Sequence, residues 1–229
     1  MKTAGLIGGM SWESTALYYK YINEGVKKAM GGLHSARMII NSVDFEEVAQ
    51  LQSKGEWEKG ALMMIDEAQK LRRAGADFIM ICTNTMHISA DDVEKALDVP
   101  LLRITDSAAE AALSAGVKKA GLLGTGFTME RDFYKGRMEK LGLDVIVPDA
   151  ADRKFVHNVI YNELCLGEFK DASKKRFIEI IEKLGAKGAE GVILGCTEIP
   201  LLVEQKDSPL SLFDTTKLHA EAAVRMMLG

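Results

Sequence analysis

Gly188-Ala189-Glu190-Gly191-Val192-Ile193-Leu194-Gly195-Cys196-Thr197-Glu198-Ile199-Pro200 is the stretch on which the reading of the fold turns. Val192 to Leu194 is a short apolar run without charge, the pattern of a strand buried on both faces of a parallel sheet. It stops abruptly at Gly-Cys-Thr-Glu, a cluster of small polar and ionisable side chains. In open α/β sheets the carboxyl ends of the strands form the crevice where ligands bind. A thiol at that point, Cys196, is a candidate nucleophile or base. The competing reading is a small buried core cysteine.

The same pattern occurs upstream. Gly75-Ala76-Asp77-Phe78-Ile79 matches Gly188-Ala189-Glu190-Gly191-Val192 at an offset of 188 − 75 = 113 residues. Ala4-Gly5-Leu6-Ile7-Gly8 matches Ala120-Gly121-Leu122-Leu123-Gly124 at 120 − 4 = 116. Two matches in one order at nearly one offset argue for an internal duplication. Carrying the first offset forward sets Thr83 opposite Cys196, Asn84 opposite Thr197 and Thr85 opposite Glu198. A duplication of this kind is expected to place two equivalent strand ends across one cleft between the halves.

Strands and helices alternate on either side of these matches. The first half reads as strand Thr3–Ile7, helix Trp12–Ala29, strand Ala36–Ser42, helices Asp44–Gln52 and Glu56–Ala74, strand Phe78–Ile81, helix Ser89–Leu97 and strand Leu101–Ile104. Ser11 is the expected N-cap of the first helix, with Leu17, Tyr21 and Val26 on its apolar face, and Gly31-Gly32 ends it. Ala61, Met64, Ile65, Ala68 and Leu71 stripe the helix that Gly75 stops. The second half reads as helix Thr105–Ala115, strand Lys119–Leu123, helix Met129–Leu141, strand Asp144–Val147, helices Ala151–Leu166 and Lys170–Leu184, and the opening strand. Segments Pro200–Glu204 and Leu210–Phe213 and an amphipathic helix Thr215–Leu228 close the chain. The expected fold is α/β: two pseudo-symmetric domains, each a mostly parallel sheet flanked by helices. Residues 1–104 plus 208–229 form one domain and 105–207 the other.

Composition narrows the class of function. The 229 residues are 47% apolar and 27% charged, with net charge −4. That is an ordinary globular balance with no basic footprint for nucleic acid or an anionic membrane. The three cysteines form no CxxC pair and the four histidines lack ligand spacing, so neither disulfides nor a metal site is expected. No apolar run approaches the ~20 residues of a membrane span, and no signal peptide precedes the first strand. A cytoplasmic location is expected. Gly8-Gly9 lacks both GxGxxG spacing and a phosphate-loop lysine, which argues against a nucleotide. Trp12 and Trp57 read as packing residues, the pairs Met63, Met64 and Met226, Met227 as core or dimer surface rather than a cofactor box, and His87 as capping or packing beside its turn.

Two like groups facing one substrate suit a two-base racemisation or epimerisation, in which one group removes a proton from carbon and the other returns one to the opposite face. The enolate charge that develops must be met by oriented donors. Backbone N–H groups of the Gly8–Ser11 and Gly124–Gly126 turns, near helix N-termini, are candidates. Such donors are also expected to lower the thiol from its usual pKa of about 8.5.

Four motifs carry a family resemblance: Gly-Leu-Ile-Gly-Gly-Met-Ser-Trp-Glu-Ser-Thr at Gly5–Thr15, Asn84-Thr85-Met86-His87, Leu123-Gly124-Thr125 and Gly195-Cys196-Thr197-Glu198. As a set, in this order across the whole chain, they resemble the cofactor-independent aspartate/glutamate racemases. That family implies two pseudo-symmetric α/β halves with the active site between them, no cofactor and no metal, an amino acid or dicarboxylate as partner, and a homodimer. Its second catalytic cysteine falls on Cys196. Its first falls on Thr83, a departure that resembles the subgroup favouring an L-amino acid. In that reading Cys196 removes the α proton and Thr83, or an ordered water, returns one. Cys82 is one residue earlier, and side chains alternate along a strand, so it is expected to face away.

The substrate contacts implied by the resemblance are Met10, Ser11, Asn84, Thr85, Thr125, Thr197 and Glu198. Tyr161 matches a family tyrosine whose partner lysine is replaced here by Cys165. No arginine lies between Asn41 and Lys59, where strict aspartate racemases carry one. Gln52, Lys170 and Arg37 are the available substitutes, with Gln52 best placed. Superfamily neighbours that decarboxylate arylmalonates or isomerise maleate, and a silent amino-acid-binding protein, are the alternatives.

Overall fold

The computed structural model describes residues Met1 to Gly229. The chain divides into two compact units, Met1–Ile104 with Thr216–Gly229, and Thr105–Thr215. In the first unit the order is β1 (Ala4–Gly8), α1 (Trp12–Met30), β2 (Met38–Ser42), α2 (Phe45–Lys54), α3 (Trp57–Arg73), β3 (Phe78–Ile81), α4 (Ala90–Lys95) and β4 (Leu101–Leu102). Its four strands are all parallel in the order β2-β1-β3-β4. The period of two along each strand sorts the core into two layers. Ile7, Ile79 and Ile81 pack with Val48, Met64, Ala68, Leu71 and Val93 of the helices α2, α3 and α4. Ala4, Leu6, Phe78, Met80 and Cys82 pack on the other face, against Tyr18 and Ile22 of α1 and Ala220, Ala223 and Met227 of the C-terminal helix.

The second unit runs α5 (Ile104–Ser114), β5 (Lys119–Gly124), α6 (Gly126–Glu130), α7 (Asp132–Lys140), β6 (Asp144–Ile146), α8 (Ala150–Asn162), α9 (Asp171–Ala186), β7 (Gly191–Gly195), α10 (Ile199–Leu202) and β8 (Ser211–Asp214), before α11 (Thr215–Leu228). Its sheet is again parallel, in the equivalent order β6-β5-β7-β8. The duplication is visible residue by residue. Ala4 pairs with Phe78 and Ala120 with Gly191, reproducing both offsets, 120 − 4 = 116 and 191 − 78 = 113. A Cβ on Gly5 would stand 3.2 Å from Leu71 Cβ, and one on Gly121 would stand 3.3 Å from Leu184 Cβ, with 184 − 71 = 113. The same close approach of helix to strand is built twice.

Several boundaries differ from expectation. The helix read as Met129–Leu141 is two, α6 and α7, parted at Arg131, whose backbone is extended (φ −92°, ψ 146°). The helix read through Leu166 ends at Asn162, and Cys165 lies in a short 3₁₀ turn, Leu164–Leu166. Likewise Thr85–Ser89 is a 3₁₀ turn ahead of α4, and β4 is only two residues long. The chain returns to the first unit at Thr216 rather than at 208, because β8 pairs with β7. On α1 the buried face is Tyr18, Ile22 and Val26, while Leu17 and Tyr21 flank it half-buried. Trp12 does not pack; it is 69% exposed, whereas Met64 and Met227 are buried.

Candidate active site

In each sheet the two central strands are neighbours, so the turns at their carboxyl ends lie side by side. In the first unit these are Gly8–Ser11 after β1 and Cys82–His87 after β3, with Ile7 paired to Ile81. In the second they are Gly124–Thr125 after β5 and Cys196–Glu198 after β7, with Gly124 paired to Gly195.

The Gly8–Ser11 turn is held by its own helix. Gly9 N–H donates to Thr15 Oγ1 at 2.8 Å, and the Thr15 hydroxyl donates to the Ser11 carbonyl at 2.9 Å. Ser11 caps α1, its Oγ accepting from Ser14 N–H at 3.4 Å. The Met10–Ser11 peptide is cis. Met10 is buried in the apolar layer with Val48 and Met86, which leaves its peptide group rather than its side chain for any ligand. Thr125 repeats the device, its Oγ1 accepting from Thr128 N–H at 3.3 Å at the start of α6.

After β3, Cys82 is fully buried, and burial alone drives its thiol far up. It belongs to the layer under α1, with Phe78 and Met80. Thr83 is half-buried, followed by buried Asn84 and Thr85. Gln52 is buried at the end of α2, with Nε2 donating to Met86 Sδ at 3.3 Å.

After β7, Cys196 is 7% and Glu198 5% exposed. The thiol donates to Glu198 Oε2 at 3.0 Å, and the Thr197 hydroxyl donates to the same oxygen at 2.8 Å. The Cys196 thiol is pushed well up, first by burial and then by the Glu198 carboxylate and Cys165. That reverses the expectation of a thiol lowered by nearby donors. The group facing the sulfur is a carboxylate, which disfavours a second negative charge and accepts the S–H proton. At rest the thiol is therefore protonated.

Tyr161, on the last turn of α8, stands in the field of Cys196, Cys165 and Glu198, and burial above all raises its phenol. Two neighbours were not legible in the sequence. Tyr134 of α7 is fully buried and within the electrostatic reach of Cys196. A tyrosine on an apolar helix face gives no signal beyond core. His157 lies against Tyr161, one helical turn away, with ring centroids 4.9 Å apart and planes tilted by 51°. Its Nδ1 accepts from Gly126 N–H at 3.0 Å, which steadies the turn after Thr125. The spacing of four between His157 and Tyr161 was the available signal. His157 also lines a cavity of about 530 Å³ with Phe127, Arg131, Arg153 and Lys154. No cluster of His, Cys, Asp and Glu is placed to hold a metal ion.

The comparisons with known proteins agree with this architecture. The family model for Asp/Glu/Hydantoin racemase matches residues 7–223. A provisionally named Asp/Glu racemase from Yersinia pestis is 51% identical over the whole of both chains, with a TM-score of 0.94. An aspartate racemase homologue from Pyrococcus horikoshii OT3 is 36% identical, again over the whole of both, with a TM-score of 0.85. The broad specificity amino-acid racemase of Bacillus subtilis is 24% identical over 228 residues, 98% of each chain. Curated glutamate racemases of Streptococcus pyogenes match at 31% over 125 residues, a stretch that is 54% of this chain and only 46% of theirs.

Proposed function

The chain belongs to the Asp/Glu/Hydantoin racemase family, and we propose that it is an amino acid racemase that interconverts the L and D forms of aspartate, glutamate or a related amino acid without a cofactor. The observation that carries this reading is the Cys196 thiol at the end of β7, hydrogen-bonded at 3.0 Å to the buried Glu198 carboxylate. The names of the relatives, from glutamate and aspartate racemase to a broad-specificity enzyme, support the substrate class.

The chemistry follows from the groups present. The Cys196 proton passes to Glu198, a transfer favoured when a substrate ammonium beside the sulfur stabilises the thiolate. The thiolate then takes the α proton. The negative charge left on the substrate spreads into its carboxylate, where N–H groups of the Gly8–Ser11 and Gly124–Thr125 turns and the amide of Asn84 receive it. Thr83, or a water it orders, delivers a proton to the opposite face and is reprotonated from solvent. Cys196 and Glu198 return one proton to solvent, so the proton count closes. Ser11, Thr85, Thr125 and Thr197 serve as further carboxylate and ammonium contacts. Gln52 and Tyr161 are neutral contacts to the side chain, in place of the cations found in strict aspartate racemases. The direct test is a panel of L- and D-amino acids incubated in heavy water. Deuterium at the α carbon with loss of optical purity is the expected result. Binding without deuterium incorporation for any member of the panel would overturn it.

A further inference from the structure

Two buried histidines in the first unit have their tautomers fixed by main-chain partners. Ile104 N–H donates to His87 Nε2 at 3.0 Å, so that nitrogen carries no proton. The proton is on Nδ1, which donates to the Thr83 carbonyl at 2.8 Å. His219 has the opposite tautomer. Its Nε2–H donates to the Leu102 carbonyl at 2.9 Å, and Nδ1 accepts from the Tyr18 hydroxyl at 2.9 Å. The rings meet edge-on at 6.0 Å. The main chain at Leu102 and Ile104 is thus held by two imidazoles, and one of them reaches back to Thr83. The Thr83 hydroxyl, in contrast, makes no hydrogen bond within the chain. Its position is set through its backbone, and His87 holds that backbone.

We propose that His87 is a positioning residue of the site: its Nδ1–H bond to the Thr83 carbonyl fixes the angle at which the Thr83 hydroxyl is offered to the substrate. The proposal rests on the reading of Thr83 as the second proton carrier. A displacement of about 1 Å at a reacting group costs on the order of a hundred-fold in rate. The bond therefore matters to the proton that Thr83 delivers and leaves the proton that Cys196 removes untouched.

Two isosteric substitutions separate the two bonds of the ring. In His87→Asn the amide nitrogen stands near the place of Nδ1 and keeps the donor to Thr83. In His87→Gln the amide oxygen reaches the place of Nε2 and keeps the acceptor for Ile104, giving up the bond to Thr83. The assay starts from the L-amino acid in heavy water and reads two rates, α-deuterium incorporation and racemisation. Removal and return by Cys196 yields deuterated L substrate, whereas delivery from Thr83 yields the D form. His87→Gln is expected to raise the ratio of exchange to racemisation by about ten-fold or more, with His87→Asn within about two-fold of the wild type. In a Thr83→Ala background His87→Gln is expected to change the ratio no further. An unchanged ratio in a His87→Gln protein whose two rates fall together would overturn the role and show a structural histidine only. An equal rise in His87→Asn, or a further rise in the Thr83→Ala background, would overturn it too. Absence of all exchange in the wild type would instead remove the racemase reading, and this role with it.

Discussion

Gly9 and Gly75 both have left-handed backbone, with φ +91° and +100°, yet only one of them is enclosed. A Cβ on Gly75 meets nothing within 4 Å. A Cβ on Gly9 would overlap the Val43 carbonyl and lie 2.7 Å from Val43 N and 2.9 Å from Ser42 Oγ. Gly75→Ala therefore carries the left-handed cost alone, about 1–2 kcal/mol. Gly9→Ala adds an overlap with backbone that cannot rotate away, about 1–3 kcal/mol more. For a chain of this size each kcal/mol lowers Tm by about 2–4 °C, which gives a drop of about 2–8 °C for Gly75→Ala and about 4–20 °C for Gly9→Ala. The second substitution also pushes on the Gly9–Thr15 bond that shapes the turn leading to Ser11. Racemisation is expected to fall at least about ten-fold in Gly9→Ala and to be unchanged in Gly75→Ala. Differential scanning calorimetry and an optical-rotation assay measure both effects. A Gly9→Ala protein no less stable and no less active than Gly75→Ala would refute the claim that the turn is fixed by close approach of β1 to Val43.

Three further outcomes are expected. Burial raises the Cys196 thiol most and the Glu198 charge adds to it; in Glu198→Gln that charge is gone, so the thiolate should form at lower pH by ultraviolet titration. With no carboxylate to take the S–H proton, the variant depends on solvent to form its thiolate, so its kcat/KM should climb from a lower base as pH rises; the wild type, which passes that proton to Glu198, should be flatter over the same range. Cys82→Ala should cost about 1 kcal/mol for the small void it leaves in the layer under α1 and leave α-proton exchange intact; a loss of exchange would return Cys82 to the site. Thr83→Cys should speed proton exchange from both enantiomers by about ten- to a hundred-fold, and no gain from either would mean that Thr83 does not serve the second face.

The duplicated strands were legible because buried parallel strands leave continuous apolar runs, and Gly5 and Gly121 mark the same helix approach in each copy. The place of Cys82 was legible for the same reason: alternation puts it with Phe78 and Met80. What the pattern could not show was the sense of the shift at Cys196. Gly-Cys-Thr-Glu gives the residue order, but whether the Glu198 carboxylate turns toward the sulfur or into solvent depends on how the turn folds. The break at Arg131 was hidden because the apolar residues on either side of it continue a helical period. The return to the first unit at Thr216 was missed because Ser211–Asp214 is short and half-exposed, and its pairing with β7 is a tertiary fact. The tie between His87 and Ile104 spans seventeen residues and has no local signature.

The central claim is that Cys196 is the base that takes the α proton. The measurement is α-deuterium incorporation in heavy water from the preferred amino acid, by Cys196→Ala and Cys196→Ser beside the wild type, with circular dichroism to confirm that each is folded. The wild type is expected to incorporate deuterium at the α carbon, and both variants to lose at least about a thousand-fold of that rate. A folded Cys196→Ala protein that exchanges the α proton at the wild-type rate would contradict the account.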